Sequence, residues 1–465
     1  MGDALRLTLR WAAEAVNGGL RCGDPQREIG NVVIDTRLLT PGDFFVALRG
    51  ARYDAHHFVA EAFEKGASGA IVERGRVPST GQDLIEVTDT TTALQDLARA
   101  VRRASGTRVV AITGSAGKTT TKEAVAELLS GRFRVARNKG NLNNHIGLPL
   151  SLLQLRDRPD VAVMELGMNH EGEISTLVAI AEPETRVWTN VGDAHIGFFP
   201  SADAIADDKA EILERANSDH LLVCNADDPR IIARVGSFAG RTVTFGTSNA
   251  ATVRAVDVEA RGVDGIRARI VTPAGEREIH TPLFGLGNLS NLLAATAVAL
   301  EFGSSLDEIA ETAPNLRAAD RRGMVIRLRD GVVLIDDSYN SSPRALARAL
   351  EAVAADARAS RKVAVIGEML ELGAHALNLH REAGRLAAAA GLGLLFAVGG
   401  TPARALAEAA VEAGMPASAV RYVEKSELAA DQIVETIRPG DLVLVKGSRG
   451  TRTDIVADRI ATVFV

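Results

Sequence analysis

Val109-Val110-Ala111-Ile112-Thr113-Gly114-Ser115-Ala116-Gly117-Lys118-Thr119-Thr120 is the stretch on which the reading of this chain turns. It opens as an apolar, largely β-branched run, which predicts a buried strand. It then turns through two glycines into Thr121 to Leu129, where Ala124, Val125, Leu128 and Leu129 share one helical face and Gly131 marks a stop. Strand, glycine turn, Lys-Thr and helix are the layout of a phosphate-binding loop. Glycines let backbone N–H groups approach phosphate oxygens, and the helix start adds positive potential. Gly114, Ser115, Ala116, Gly117, Lys118, Thr119 and Thr120 are therefore the candidate nucleotide contacts. Lys118 would reach the β/γ-phosphates and the Thr119 hydroxyl would ligate Mg²⁺. The spacing Gly114-x-x-Gly117-Lys118-Thr119 is shorter than the common pattern, which would put a glycine at Ile112. An ordinary glycine turn is the alternative, and the flanking strand and helix weigh against it.

At 465 residues the chain is too long for one ordinary core, so two or three domains are expected. Its 46% hydrophobic and 24% charged content is that of a globular protein. A net charge of −6 gives no support to a nucleic-acid partner. Two cysteines, Cys22 and Cys224, point to a reduced, cytoplasmic setting in which both are packing residues. Asp3, Arg6, Arg10 and Glu14 interrupt any apolar signal core, and Arg6 stands where a myristoylation site needs Ser or Thr. Leu386 to Ala403 is uncharged, but its glycines and Pro402 make it a helix end, a turn, the strand Leu394–Val398 and another turn. No stable membrane insertion is expected.

Outward from the loop, the chain divides into three expected domains: 1–103, 104–316 and 317–465. The fold class is α/β throughout. In the first, a small α/β unit, Asn31 to Arg37 reads as a strand entering a polar turn, and Phe44 to Leu48 as a second strand. Asp35-Thr36-Arg37 either holds a phosphate or caps that turn, and the residues alone favour the cap.

The second domain alternates strands and helices, as a mostly parallel sheet requires. Asn138 to Pro149 is dense in side-chain amides, and Asn141, Asn143 and Asn144 stand beside the nucleotide loop as candidate substrate contacts. Val161 to Met164 leads straight into Glu165, a carboxylate at the ligand-binding edge of an open sheet and the leading Mg²⁺ candidate. Val187 to His195 repeats the design; a lone histidine is more often structural, but at the same sheet edge as Glu165 it becomes a candidate metal or phosphate ligand. Lys209 alone reads as a solvated surface lysine. Residues 252–281 suggest a β-rich insertion or hairpins, and Asn288 and Asn291 could cap the next helix or contact a base. The third domain has a dinucleotide-type pattern without the glycine fingerprint. Its strands run out into Asp336-Asp337-Ser338-Tyr339-Asn340, Gly367-Glu368-Met369 and Lys446-Gly447-Ser448-Arg449, which would line one cleft.

With these segments in place the chain resembles the Mur ligases, the cytoplasmic amino-acid-adding enzymes of peptidoglycan synthesis. The resemblance spans nearly the whole chain and accounts for the short phosphate loop. Asp35-Thr36-Arg37 with Pro41 to Gly50 matches the UDP-sugar-binding domain. Asn141-Leu142-Asn143-Asn144, Glu165 to Asn169 and Asn190-Val191-Gly192-x-x-His195 match the central ATPase domain. The three polar strand ends match the Rossmann-like C-terminal domain. Tyr339-Asn340 and Met369 to Gly373 favour the branch that adds D-alanyl-D-alanine to UDP-N-acetylmuramoyl-tripeptide. The Asp-Asn-Pro-Arg motif of the diaminopimelate-adding branch is missing from the sequence.

The resemblance implies ATP with Mg²⁺, two ions, as the cofactors, and the two small-molecule substrates as the partners of a monomer. It makes Lys118, His195 and Lys209 catalytic and Thr119, Glu165, His195 and a carbamoylated Lys209 metal ligands. Asn291 would lie near the adenine, and Arg322 and Asp337 would hold ribose and phosphates. Thr36, Arg37, Asn141, Asn143, Asn144, Asn169, Asn340, Lys446, Ser448 and Arg449 would contact substrate. Gly287 departs from the family histidine, Glu368 from its aspartate, and Ser341-Ser342 from an Ala-Asn pair. Other readings are a sister ligase, a folylpolyglutamate-type ligase, or a nucleotide-switched binding module.

Overall fold

The computed structural model describes residues 4–21, 23–50, 52–78, 81–193 and 196–465. Cys22 and His195 lie outside the described residues, and so do the expectations attached to them. The strands form three sheets, of five, nine and six strands. By proximity along the fold the chain divides into two compact units. One comprises residues 1–112, 132–186 and 214–220; the other comprises 113–131, 187–213 and 221–465.

In the first unit the five-stranded sheet runs Gly19–Arg21, Leu84–Val87, Gly69–Glu73, Phe44–Val46, Val32–Val33. Only the first pair is antiparallel. Phe44–Val46 is buried at every position, as the apolar run requires, and Phe45, Ala47, Val59, Ala70 and Leu84 form one core cluster. The strand expected over Asn31–Arg37 is only Val32–Val33, because Asp35 turns the chain with its own side chain. The helix Thr90–Ser105 begins on Asp89, whose carboxylate accepts from Thr92 N at 2.6 Å, and ends on Gly106 at φ 69°. Three parallel strands of the nine-stranded sheet also belong here: Val135–Arg137, Val161–Glu165 and Arg108–Thr113 up to Ile112. Their register sets Ile112 beside Glu165.

In the second unit Leu221–Asn225, Arg241–Gly246 and Val253–Ala260 pair in parallel. The expected β-rich insertion is two further antiparallel strands on the same sheet, Ile266–Thr272 and Gly275–Thr281. The six-stranded sheet runs Met324–Arg327, Val333–Asp337, Asp441–Lys446, Arg361–Gly367, Leu394–Val398, Val420–Val423. Its first pair is antiparallel and the rest parallel. Strands such as Leu394–Val398 are buried along their whole length because helices cover both faces, which is why they read as unbroken apolar runs. Among the described residues no helix is long and apolar enough to cross a membrane.

Cys224 is fully buried on Leu221–Asn225, and burial pushes its thiol up to about 12. In a Cys22→Ser background, a thiol reagent at pH 8 should leave the native protein unlabelled and label one thiol only after denaturation. Rapid labelling of the native protein would contradict this packing.

Candidate functional site

The phosphate loop follows the strand Arg108–Thr113, and Gly117, at φ 80°, is the N-cap of the helix Lys118–Ser130. A side chain at Gly117 would overlap the Asn291 amide, and one at Gly114 would overlap the Thr189 hydroxyl. Both glycines are therefore required by close approach as well as by backbone conformation. The Lys118 ammonium donates to Gly114 O at 2.7 Å, so it lies over the loop's own turn. Thr119 and Thr120 are buried in the first helical turn, where N–H groups have no intrahelical acceptor and favour an anion.

The loop is braced from below. Asn190 accepts from Ala116 N at 2.9 Å and donates to Ala116 O at 2.9 Å, so one amide grips both sides of that residue. Asn190 O accepts from Ser115 N at 3.0 Å, and Thr189 Oγ1 donates to Ala116 O at 3.0 Å. Asn225 and Asp228 hold this segment in turn, donating to Thr189 O and accepting from Val191 N. Asn291 accepts from Thr121 Oγ1 at 3.2 Å and donates to Asn288 Oδ1 at 2.9 Å. Asn291 thus props the loop from the helix Gly287–Glu301.

Lys209 ends the helix Ala202–Ala210 and is 1% exposed. The surface reading drawn from its neighbours Asp208 and Glu211 is overturned: the amine is interior. Burial, with the Lys118 charge adding to it, drives its pKa well below the ordinary lysine value, while Asp208 opposes the shift.

Beside the loop in the same unit lies a cleft of about 390 Å³, bordered by Asn225, Asp227, Leu286, Leu289, Leu293 and Arg348. Gly287 opens onto Arg348, whose Cδ lies 3.6 Å from where a side chain at Gly287 would start. The Glu368 carboxylate accepts from Gly400 N at 2.9 Å, so this departure serves a local turn.

At the sheet edge of the third domain, Lys446 Nζ bonds Asp337 Oδ2 at 2.6 Å and Asn340 O at 3.0 Å. Ser448 Oγ accepts from Leu370 N at 2.9 Å and donates to Ser341 O. Arg322 lies over the Tyr339 ring at 4.1 Å, and the exposed Arg449 stands at 5.9 Å from the same ring. The parallel register Asp337↔Lys446 brings these residues together.

In the first unit, Glu165 is 3% exposed at the end of its strand. Asn143 donates to its Oε1 at 2.8 Å. Asn138 grips its backbone, accepting from Glu165 N at 3.0 Å and donating to Glu165 O at 3.1 Å. Of the other amides, Asn144 caps a turn by accepting from Gly147 N, and Asn141 is exposed. Asn169 is also exposed, its N–H donating to Glu173. Asp35 caps its turn, and the bonded Arg37 guanidinium holds its carboxyl down to about 2. Thr36 is buried, with its carbonyl accepting from Lys65. The Glu165 carboxylate offers a hard oxygen donor of the kind a Mg²⁺ ion takes.

Sequence reasoning missed Thr189, and it missed the roles of Asn138 in gripping the Glu165 backbone, of Tyr339 under Arg322 and of Asn190 in gripping the loop. Their signal was at most an amide or aromatic at the end of an apolar run.

Three family models match the chain. "Mur ligase family, catalytic domain" covers residues 28–102, "Mur ligase middle domain" 112–299, and "Mur ligase, glutamate ligase domain" 321–449. The UDP-N-acetylmuramoyl-tripeptide–D-alanyl-D-alanine ligase of Bacillus subtilis is 34% identical over 98% of this chain and 99% of its own length. A crystal structure of MurF from Acinetobacter baumannii superposes with a TM-score of 0.89 at 30% identity, covering 99% of this chain and 100% of the other. MurF ligase from Thermotoga maritima, in complex with ADP, gives 0.81 at 29% identity, covering 93% and 97%.

Proposed function

The chain belongs to the Mur ligase family, and from that premise we propose that it joins D-alanyl-D-alanine to UDP-N-acetylmuramoyl-tripeptide at the expense of ATP. The observation that carries this reading is likeness along the whole chain, 34% over 98% of it, to a ligase of that name. The boundaries 1–103, 104–316 and 317–465 are retained as sugar-nucleotide, ATP and dipeptide domains, close to the three matched ranges. An activity that draws on ATP and a nucleotide-linked precursor would belong in the cytoplasm.

A peptide carboxylate has no leaving group at neutral pH, so ATP must supply one. The terminal carboxylate attacks the γ-phosphorus, ADP departs, and an acyl phosphate forms. The free amine of the dipeptide then attacks the acyl carbon, phosphate leaves, and the amide nitrogen loses its proton. Lys118 and the first-turn N–H groups bind and orient the phosphates, while the Asn190 and Asn291 braces keep that turn rigid. The cleft beside the loop suits a nucleotide base, with Leu286, Leu289 and Leu293 as its apolar wall. Arg449 would meet the incoming dipeptide, with Lys446 beside it bonded to Asp337 and Asn340.

Thr119, Glu165, His195 and Lys209 are the residues that would hold two Mg²⁺ ions, whose charge offsets repulsion between the anionic reactants. Interior burial favours a neutral Lys209 amine, the form that adds to CO₂ and loses a proton to give a carbamate. That oxygen donor would join the metal ligands.

The test is phosphate release from ATP with each substrate omitted in turn, and mass analysis of the product. Release that needs both substrates and yields the UDP-pentapeptide is expected. Release with neither substrate would favour the nucleotide-switch reading. Silence with D-alanyl-D-alanine and turnover with another amino acid would make it a sister ligase.

A further inference from the structure

Arg321 and Arg322 are adjacent, yet their guanidinium groups are used in opposite ways. Arg321 sits at φ 56°, a strained conformation for a side chain with a Cβ. Its guanidinium is committed to Asp458 at 3.1 Å and Asp336 at 3.7 Å, and its carbonyl accepts from Tyr339 N at 3.0 Å. The next residue, Arg322, is thereby turned onto the face of the Tyr339 ring, 4.1 Å from its centroid. Arg449, entering from the end of Asp441–Lys446, approaches the same ring at 5.9 Å. The neighbouring cation, Lys446, is 2% exposed and already paired with Asp337.

A guanidinium stacked on a ring uses its flat face, and its in-plane N–H fork stays available for a planar or tetrahedral oxyanion. Stacking also restrains a side chain that otherwise carries large rotamer freedom, so less entropy is lost on binding. Tyr339 therefore restrains Arg322 by stacking, and draws Arg449 at the outer range of a cation–π contact, without neutralising either. The location is the carboxyl end of parallel strands, where open α/β sheets take their ligands.

We propose that Tyr339 is a positioning residue, the shared platform of a two-arginine clamp in which Arg322 and Arg449 grip oxyanion groups of the substrates. This rests on the ligase reading above. The oxyanion is either a phosphate of ATP or the free carboxylate of the dipeptide, and separate kinetic arms tell them apart.

The experiment compares Tyr339→Leu and Tyr339→Phe with wild type in the full-length enzyme. KM is measured separately for ATP, D-alanyl-D-alanine and the UDP-linked tripeptide. Loss of the platform should raise KM for ATP, for the dipeptide or for both about tenfold in the leucine variant, with kcat changed far less. The ATP arm reports a phosphate and the dipeptide arm a carboxylate. Tyr339→Phe should restore KM to within about twofold, since the ring face and not the hydroxyl carries the contact. KM for the tripeptide should stay unchanged, which a general loss of structure would not allow. Tyr339→His, a smaller flat ring with a weaker face, replaces the leucine variant if that fails to fold, and its KM must then rise. Unchanged KM for both ATP and dipeptide, or a phenylalanine variant as impaired as leucine, would overturn the clamp. Wild type that forms no pentapeptide would instead overturn the ligase reading. ATP affinity measured by calorimetry then still reads the phosphate arm.

Discussion

Lys118→Ala abolishes turnover: kcat/KM for ATP falls on the order of 10³-fold or more, while the protein stays folded. A single neutral donor aimed at developing charge is worth roughly 10²–10³ in rate, and a cation aimed at a transferring phosphoryl group is worth more. The structural loss is small by comparison. The ammonium donates a hydrogen bond to Gly114 O in a part-buried setting. Such a bond contributes about 1 kcal/mol net. Thermal melting should therefore move by a few degrees at most, and circular dichroism should be unchanged. Phosphate release and product mass are the readouts. A variant with near wild-type release would remove Lys118 from the phosphate site, and the nucleotide role of the loop with it.

Gly117→Ala is the second large effect, and it acts through the backbone. At φ 80° an added methyl costs about 1–2 kcal/mol of strain. It also meets the Asn291 amide, which cannot step aside without leaving Thr121 and Asn288. Relief comes by rotating the loop, which misdirects the first-turn N–H groups and loosens the Asn190 grip on Ala116. The expected result is an ADP affinity weakened about 100-fold with a lower melting temperature, equivalent to about 2–4 kcal/mol in total. Calorimetric ADP titration and a thermal melt decide it. An affinity within threefold of wild type at an unchanged melting temperature would mean that the loop tolerates a side chain there.

Both results concern the part of the molecule that the sequence displays most openly, and the reason is spacing. Strand, loop and helix around Lys118 lie within about two dozen consecutive residues, so periodicity and glycine placement suffice to read them. The same holds for Leu394–Val398 and for the buried carboxylate of Glu165, which closes an apolar run. The Asp35 turn was legible too, because Asp35 bonds the backbone only two residues on.

What the sequence by itself determined is therefore local: element type, the phosphate loop, the polar ends of the strands and the motifs that mark the family. The tertiary structure decided which side chains those ends bring together. Lys209 has the sequence neighbours of a surface residue, and only packing around its helix makes it interior and shifts its amine. Asn190 grips Ala116 across 74 residues, and Thr121 meets Asn291 across 170. Tyr339 joins Arg322 to Arg449 because the register Asp337↔Lys446 sets two distant strand ends side by side. Hydrogen bonds and stacking contacts reach only a few ångströms. A single sequence carries no signal for contacts separated by a hundred residues until the sheet has formed.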